Sequence, residues 1–339
     1  MKVLIYFESQ DKIKKSGIGR ALKHQMAALE SAGVEFTLDK NDSYDIAHIN
    51  TYFAKSKKIL KNCKKKGIPA IVHGHSTIED FRDSFALWPL VAKVWYNPNL
   101  MYFYKNADHI LTPTPYSKRC IDAYGLGTPV DVVSNGIQVD EYAYDEDKIN
   151  KFKKHFGITN EKVVIGVGFP FIRKGLDEFI EVARRFPDVK FIWFGYLQKI
   201  LQSNKIKKVI KNKPDNVIMP GYIANEIIKG AYRYAECLFF PTREETEGIV
   251  VLEALASNCP VLVRDIGVYS DWLEDGRDCY KAKDVEGFVD KLNYIFNNDH
   301  STVIENGYKL ANEKTLQSIG LELKDAYIKV LENYKNKEK

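Results

Sequence analysis

The stretch CLFFPTREETEGIVVLEALA, Cys237–Ala256, reads as a strand, a loop and a helix in succession. CLFFP is a short apolar run of strand length closed by a proline. The segment from Gly248 onward runs into an apolar helical pattern. Between and within these lie Glu244, Glu245, Glu247 and Glu253, four carboxylates in ten residues. Helix electrostatics accounts for part of this crowding, because an acid near a helix N-terminus contributes about 0.3–1 kcal/mol. A ligand with many hydroxyls to hold would account for the rest.

Working outward, the same alternation repeats along the chain. Apolar runs of strand length occur at Lys2–Phe7, Asp45–Ile49, Pro69–His73, His109–Thr112 and Val130–Val133. A second series lies at Lys162–Gly168, Val189–Gly195, Asn216–Pro220, Cys237–Pro241 and Pro260–Val263. Amphipathic segments such as Arg20–Ala32 and Lys174–Phe186 separate them. Two doubly wound, parallel α/β domains are the expectation. We place the first at residues 1–155, the second at 156–315 and a closing amphipathic helix at 316–339, with an acidic, strand-poor linker around Val139–Lys162. Ligands of such sheets bind beyond the strands' C-terminal ends, so a cleft between the domains is the expected site.

The 339 residues fit two domains, and no run of eighteen apolar residues predicts a transmembrane helix. MKVLIYFE reads as a first strand rather than a signal peptide. The five cysteines are widely spaced and form no CxxC pair, which argues against a zinc site or disulfide framework and fits a reducing cytoplasm. The net charge of +5 is uneven. Residues 1–120 carry 19 Lys/Arg against 11 Asp/Glu, whereas residues 121–150 carry 1 against 7. A basic front suits an anionic surface, or is simply solvated. No nucleic-acid-binding motif accompanies it.

Several loops after strands carry candidate chemistry. Lys14-Lys-Ser-Gly-Ile-Gly-Arg20 offers Gly17 and Gly19 for close backbone approach, although it lacks the GxGxxG fingerprint and also suits a plain turn. His73-Gly-His75 is poor metal spacing; His75 suits a sugar hydrogen bond or proton transfer, and a structural role is the bland alternative. Arg173 and Lys174 precede a helix whose dipole they oppose. A bound diphosphate explains them better than helix stability does. Glu245 falls in the loop and Glu253 inside the helix, each able to take paired hydrogen bonds from vicinal hydroxyls. Gly248 and Ile249 offer helix N-terminal N–H groups to phosphate.

The ordered set resembles glycosyltransferase family 4 over nearly the whole chain. It comprises the glycine loop, Asn135-Gly-Ile137 after VDVVS, Gly166-x-Gly168 leading to Lys174-Gly175, and Glu245-x7-Glu253 after a PT strand end. The resemblance implies a GT-B architecture, two facing Rossmann-like domains with a C-terminal helix returning to the first. It also implies a retaining, metal-independent enzyme without cofactor that uses a nucleotide sugar, here UDP-glucose. By the same resemblance Lys174 binds diphosphate, Glu245 lies near the donor sugar, Glu253 binds ribose, Gly17 belongs to the glycine loop and His75 lies near the sugar. His75, Lys174 and Glu245 form the catalytic set, and Gly17, Gly19, Arg173, Gly248, Ile249 and Glu253 complete donor binding. Two departures stand out: Phe169 replaces the family's usual arginine, a charge that Arg173 is expected to supply, and Glu247 replaces its frequent phenylalanine.

KSGIGRALKHQ, DSYDIAHINTYF, HGHSTIEDFRDSF and TPTPYSKR further resemble the diglycosyldiacylglycerol synthases of low-GC bacteria. That branch implies a monoglucosyldiacylglycerol acceptor, UDP-glucose or UDP-galactose as donor, and a peripheral location on the inner face of the cell membrane. Two stretches suit such a surface: the lysine-rich Lys55–Lys66, with Lys57, Lys58, Lys61, Lys64 and Lys65, and the aromatic Phe81–Tyr104, with Trp88 and Trp95. A solvated helix face and an ordinary core are the bland readings. Rivals are a glycosyltransferase of capsule or cell-wall polysaccharide assembly with a saccharide or polyprenyl-linked acceptor, and a non-catalytic sugar-binding module.

Overall fold

The structure, a computed structural model, describes residues 1–8, 17–81 and 96–337. The described residues form two compact units. One holds Met1–Phe81, the described residues onward to Ile137, and the chain from Lys314; the other is Gln138–Glu313.

The first unit is built on a six-stranded sheet in the order β2-β1-β3-β4-β5-β6. Its strands are β1 Lys2–Tyr6, β2 Glu35–Thr37, β3 Ile46–Ile49, β4 Ala70–His73, β5 His109–Thr112 and β6 Val130–Val132. The second sheet runs β12-β11-β10-β7-β8-β9. Its strands are β7 Val163–Val167, β8 Lys190–Phe194, β9 Val217–Gly221, β10 Cys237–Phe240, β11 Val261–Arg264 and β12 Tyr280–Ala282. Every strand pair is parallel. The central strands are buried on both faces, which is why they appear in the sequence as unbroken apolar runs. The two strands absent from the sequence reading, β2 and β12, are three-residue edges. Such edges are too short to show a period.

The units divide at Gln138 rather than near residue 155. The cause is the helix Glu146–Phe156, capped by the Asp145 carboxylate and stopped by Gly157 in the left-handed region. It packs so tightly on the helix Asn225–Tyr234 that a Cβ at Gly230 would lie 2.0 Å from the Lys148 carbonyl oxygen. The chain re-enters the first unit at its end. Helix Leu316–Lys337 buries Leu316, Ile319, Leu323, Ala326, Tyr327 and Val330 in the same core as Leu22, Ala28 and Leu29 of helix Gly17–Ser31. That spacing of three and four residues is one face of a helix. Gly320 permits the crossing, since a Cβ there would come within 2.0 Å of the Ala28 carbonyl oxygen.

Candidate active site

The second sheet reverses its winding between β7 and β10, the position where a doubly wound sheet opens a crevice at its strand ends. The loops leaving these two strands carry Arg173 and Lys174 on one side and Thr242–Glu245 on the other. They are stitched together. The Arg243 N–H donates to the Arg173 carbonyl at 2.7 Å, and the Arg173 guanidinium donates to the Glu244 carbonyl at 2.7 Å. A Cβ at Gly175, which has φ +76°, would fall 2.2 Å from the Pro241 carbonyl oxygen, so only glycine lets the loops meet. Arg243 braces the pair from below, donating to Asp177 at 2.8 Å and facing Glu178 at 3.0 Å.

At the junction Lys174 donates to Glu245 Oε1. Thr242 Oγ1 donates to the same oxygen at 2.8 Å, and Arg173 Nη1 stands 3.8 Å away. Glu245 and Arg173 are buried. Burial raises the Glu245 carboxyl, but Lys174 and Arg173 outweigh it and hold the group below the usual carboxylate range. It is therefore an anion at neutral pH, a pure acceptor. Arg173 reaches the carboxylate that Lys174 holds, while Phe169 packs against Phe171 with ring centres 5.6 Å apart.

The helix at this crevice begins at Ile249, with Gly248 as its left-handed N-cap, φ +88°. A Cβ on Gly248 would approach the Tyr269 hydroxyl to 2.8 Å. That hydroxyl is buried and has no hydrogen-bond partner among the described residues. Glu253 lies inside the helix, as its spacing predicts, and accepts from the Tyr232 hydroxyl at 2.9 Å. Glu247 is also buried. Thr242 and Tyr232 were missed in the sequence. Thr242 is legible in hindsight in the PT pair, whereas Tyr232 lies 21 residues from Glu253 with no local signal.

The remaining candidates belong to the first unit. Gly17 and Gly19 are not in a loop before the helix; they form its first turn. Lys14–Ser16 lie outside the described residues. His75, just past β4, is buried, stacks on His73 at 3.8 Å between ring centres and donates its main-chain N–H to the Tyr52 hydroxyl oxygen at 3.1 Å. Burial, with lesser contributions from His73 and His48, pulls its pKa well below the usual histidine value, so the ring is neutral.

Helix Ala54–Lys66 turns Ser56, Ile59, Leu60 and Cys63 inward. Lys58, Lys61, Lys64 and Lys65 are exposed, Lys64 also donating to Asn106 at 3.2 Å, whereas Lys57 is half-buried over the Tyr102 ring at 3.7 Å. Glu8 caps the N-terminus of this helix, accepting from Lys55 N and Ser56 N, and Lys64–Lys66 end it where cations complement the dipole. The aromatic stretch divides. Trp88 and Trp95 lie outside the described residues, and Leu100, Phe103 and Tyr104 are buried core rather than an interfacial face. Among the described residues no helix is long and apolar enough to cross a membrane, and no cluster of metal-ligating side chains occurs.

With the geometry in view, comparisons with known proteins are specific. Residues 16–141 match the family described as Glycosyltransferase Family 4, and residues 147–310 match Glycosyl transferases group 1. The processive diacylglycerol alpha-glucosyltransferase of Acholeplasma laidlawii is 50% identical over 98% of this chain and 99% of the relative. The alpha-galactosylglucosyldiacylglycerol synthase of Streptococcus pneumoniae is 24% identical over 75% of this chain and 67% of the relative. In structure, Anabaena HepE in complex with UDP-glucose superposes with a TM-score of 0.77 at 16% identity, over 97% of this chain and 100% of that one. Sucrose-phosphate synthase from Thermosynechococcus elongatus gives 0.81 at 14% identity, over 98% and 100%. The fold is the GT-B arrangement of two Rossmann-like units.

Proposed function

The chain belongs to glycosyltransferase family 4, and from that membership we propose that it moves glucose from UDP-glucose onto a diacylglycerol glycolipid, monoglucosyldiacylglycerol above all. The observation that carries the donor half is the Arg173–Lys174–Glu245 cluster at the β7/β10 switch point. Two cations beside a helix N-terminus suit a diphosphate; one buried carboxylate suits a hexose. The acceptor half rests on the near full-length identity to a diacylglycerol glucosyltransferase.

In this reading Lys174, Arg173 and the Gly248–Ile249 N–H groups take up the charge that develops on UDP. Stabilisation of this kind is often the largest catalytic contribution. Glu245 orients the hexose, Glu253 the ribose, and His75 contacts the sugar. An alpha product from UDP-α-glucose is retention. The C1–O bond to the β-phosphate breaks with its electron pair going to phosphate, the acceptor oxygen bonds C1 on the same face, and its proton passes to a phosphate oxygen. The protein's own cations supply the charge neutralisation, so turnover is expected to survive EDTA. The exposed Lys58, Lys61 and Lys65 give an anionic leaflet a place to bind, and the inner face of the cell membrane is where UDP-glucose and glycolipid meet.

The test is incubation with UDP-glucose, and in parallel UDP-galactose, plus monoglucosyldiacylglycerol in micelles containing anionic lipid. Mass spectrometry reading a gain of one hexose supports the proposal. Binding of UDP with no gain from either donor moves the acceptor to a saccharide or polyprenyl carrier.

A further inference from the structure

A buried chain of polar side chains stands behind His75, and the proposed chemistry leaves it unused. It joins four elements of the first unit: Gln25 on helix Gly17–Ser31, His48 and Asn50 at the end of β3, His73 and His75 at the end of β4, and Tyr327 on helix Leu316–Lys337. All six are buried.

The chain has one polarity. Asn50 Nδ2 lies 3.5 Å from the His48 carbonyl, which can only accept, and donates to Gln25 Oε1 at 2.9 Å. Reversing the amide would set two oxygens against each other. Asn50 Oδ1 therefore faces His75 Nε2 at 2.9 Å as an acceptor, and His75 carries its proton on Nε2. Gln25 accepts through Oε1, so its Nε2 donates to His48 Nδ1 at 2.7 Å, and the Tyr327 hydroxyl meets the same nitrogen at 2.7 Å. His48 Nδ1 is then a lone pair, and His48 Nε2–H donates to His73 Nδ1 at 3.1 Å. Burial keeps all three rings neutral, each with one donor and one acceptor.

We propose that Asn50, Gln25, His48 and Tyr327 are positioning residues that fix His75 as the Nε2–H tautomer, which makes Nδ1 the acceptor for a hydroxyl of the donor sugar. The inference rests on the proposed function for its substrate, and on hydrogen-bond geometry and burial for the tautomer. Asn50 acts directly on the ring. Gln25 fixes Asn50, and His48 with Tyr327 fixes Gln25, so the C-terminal helix reaches His75 at the sugar-binding strand end through four hydrogen bonds.

Nitrogen-15 NMR of the imidazoles in the full-length protein tests this, with the His75→Gln variant identifying the His75 signals by their loss. The expected spectrum shows His48, His73 and His75 neutral and protonated at Nε2. A His75 signal in the Nδ1–H form overturns the inference. Asn50→Leu is expected to leave His75 in mixed tautomers and to lower kcat about tenfold with the donor KM within about twofold. Asn50→Asp, which keeps an acceptor, restores the Nε2–H signal. Scrambled tautomers with an unchanged kcat in Asn50→Leu would refute the positioning role. Should Asn50→Leu not fold, the isosteric Gln25→Glu removes the donor to His48 and is expected to move the His48 and His73 protons to Nδ1; unmoved protons count against the chain. A wild-type protein that never consumes UDP-glucose fails the proposed function, a result separate from the His75 spectrum.

Discussion

Lys174 illustrates how little of a side chain's role is visible in its own helix. Its charge opposes the dipole of the helix that follows, yet it is retained against Glu245 with Thr242 and Arg173 around the same carboxylate. Lys174→Ala is expected to lower kcat about a hundredfold, as loss of one charge-stabilising donor does. Glu253→Ala is expected to act on the donor KM instead, and steady-state kinetics separate the two. At Gly175 even a methyl group meets backbone, so Gly175→Ala should disturb the loop junction and reduce both kcat and thermal stability. These residues were legible in the sequence because they follow strands and sit beside glycines. Tyr232 was not, because residue types and spacing do not say which distant side chain will meet Glu253 across 21 residues.

Elements were easier to read than their partners. The eight central strands announce themselves as apolar runs, while β2 and β12 are edges with three residues each and no period to detect. The aromatic helix Asn97–Asn106 reads equally well as interface or core, and only tertiary packing decides for core. The lysine helix keeps four exposed candidates, of which Lys64 is engaged with Asn106. Replacing Lys58, Lys61 and Lys65 together by glutamate is expected to abolish flotation with vesicles containing anionic lipid, at about 1 kcal/mol for each lysine lost. Turnover of a soluble short-chain acceptor should persist. Where helix Leu316–Lys337 crosses helix Gly17–Ser31, Gly320→Ala is expected to cost about 1–3 kcal/mol, readable as a lower Tm.

At the scale of the molecule, acid sensitivity follows from the buried histidines. His73 titrates in the fold at about 3, and His48 and His75 also lie well below the ordinary value of 6.5, burial being the main cause in each. The unfolded chain takes up these protons below about pH 6.5 and the fold does not, so stability falls as pH drops from there toward 3. Three such groups give a slope approaching about 4 kcal/mol per pH unit near the middle of that window. Glu245, depressed below the usual carboxylate range, adds to the loss only below about pH 4.5. Denaturant titrations at pH 7, 6 and 5 should show this decline, and a triple variant with glutamine at the three histidines should reduce it, leaving the share of His109, whose pKa burial also lowers.

The first unit is also assembled from segments far apart in the chain, because Lys314 onward belongs with Met1–Phe81 and the described residues onward to Ile137. During synthesis the ribosome delivers the whole of Gln138–Glu313 before the segment that covers Leu22, Ala28 and Leu29 emerges. The half made first is thus the half finished last. Until that segment emerges, the nascent first unit carries an uncovered apolar face and lacks Tyr327, so a chain stopped at Glu313 should complete its second unit while the first stays open to proteases.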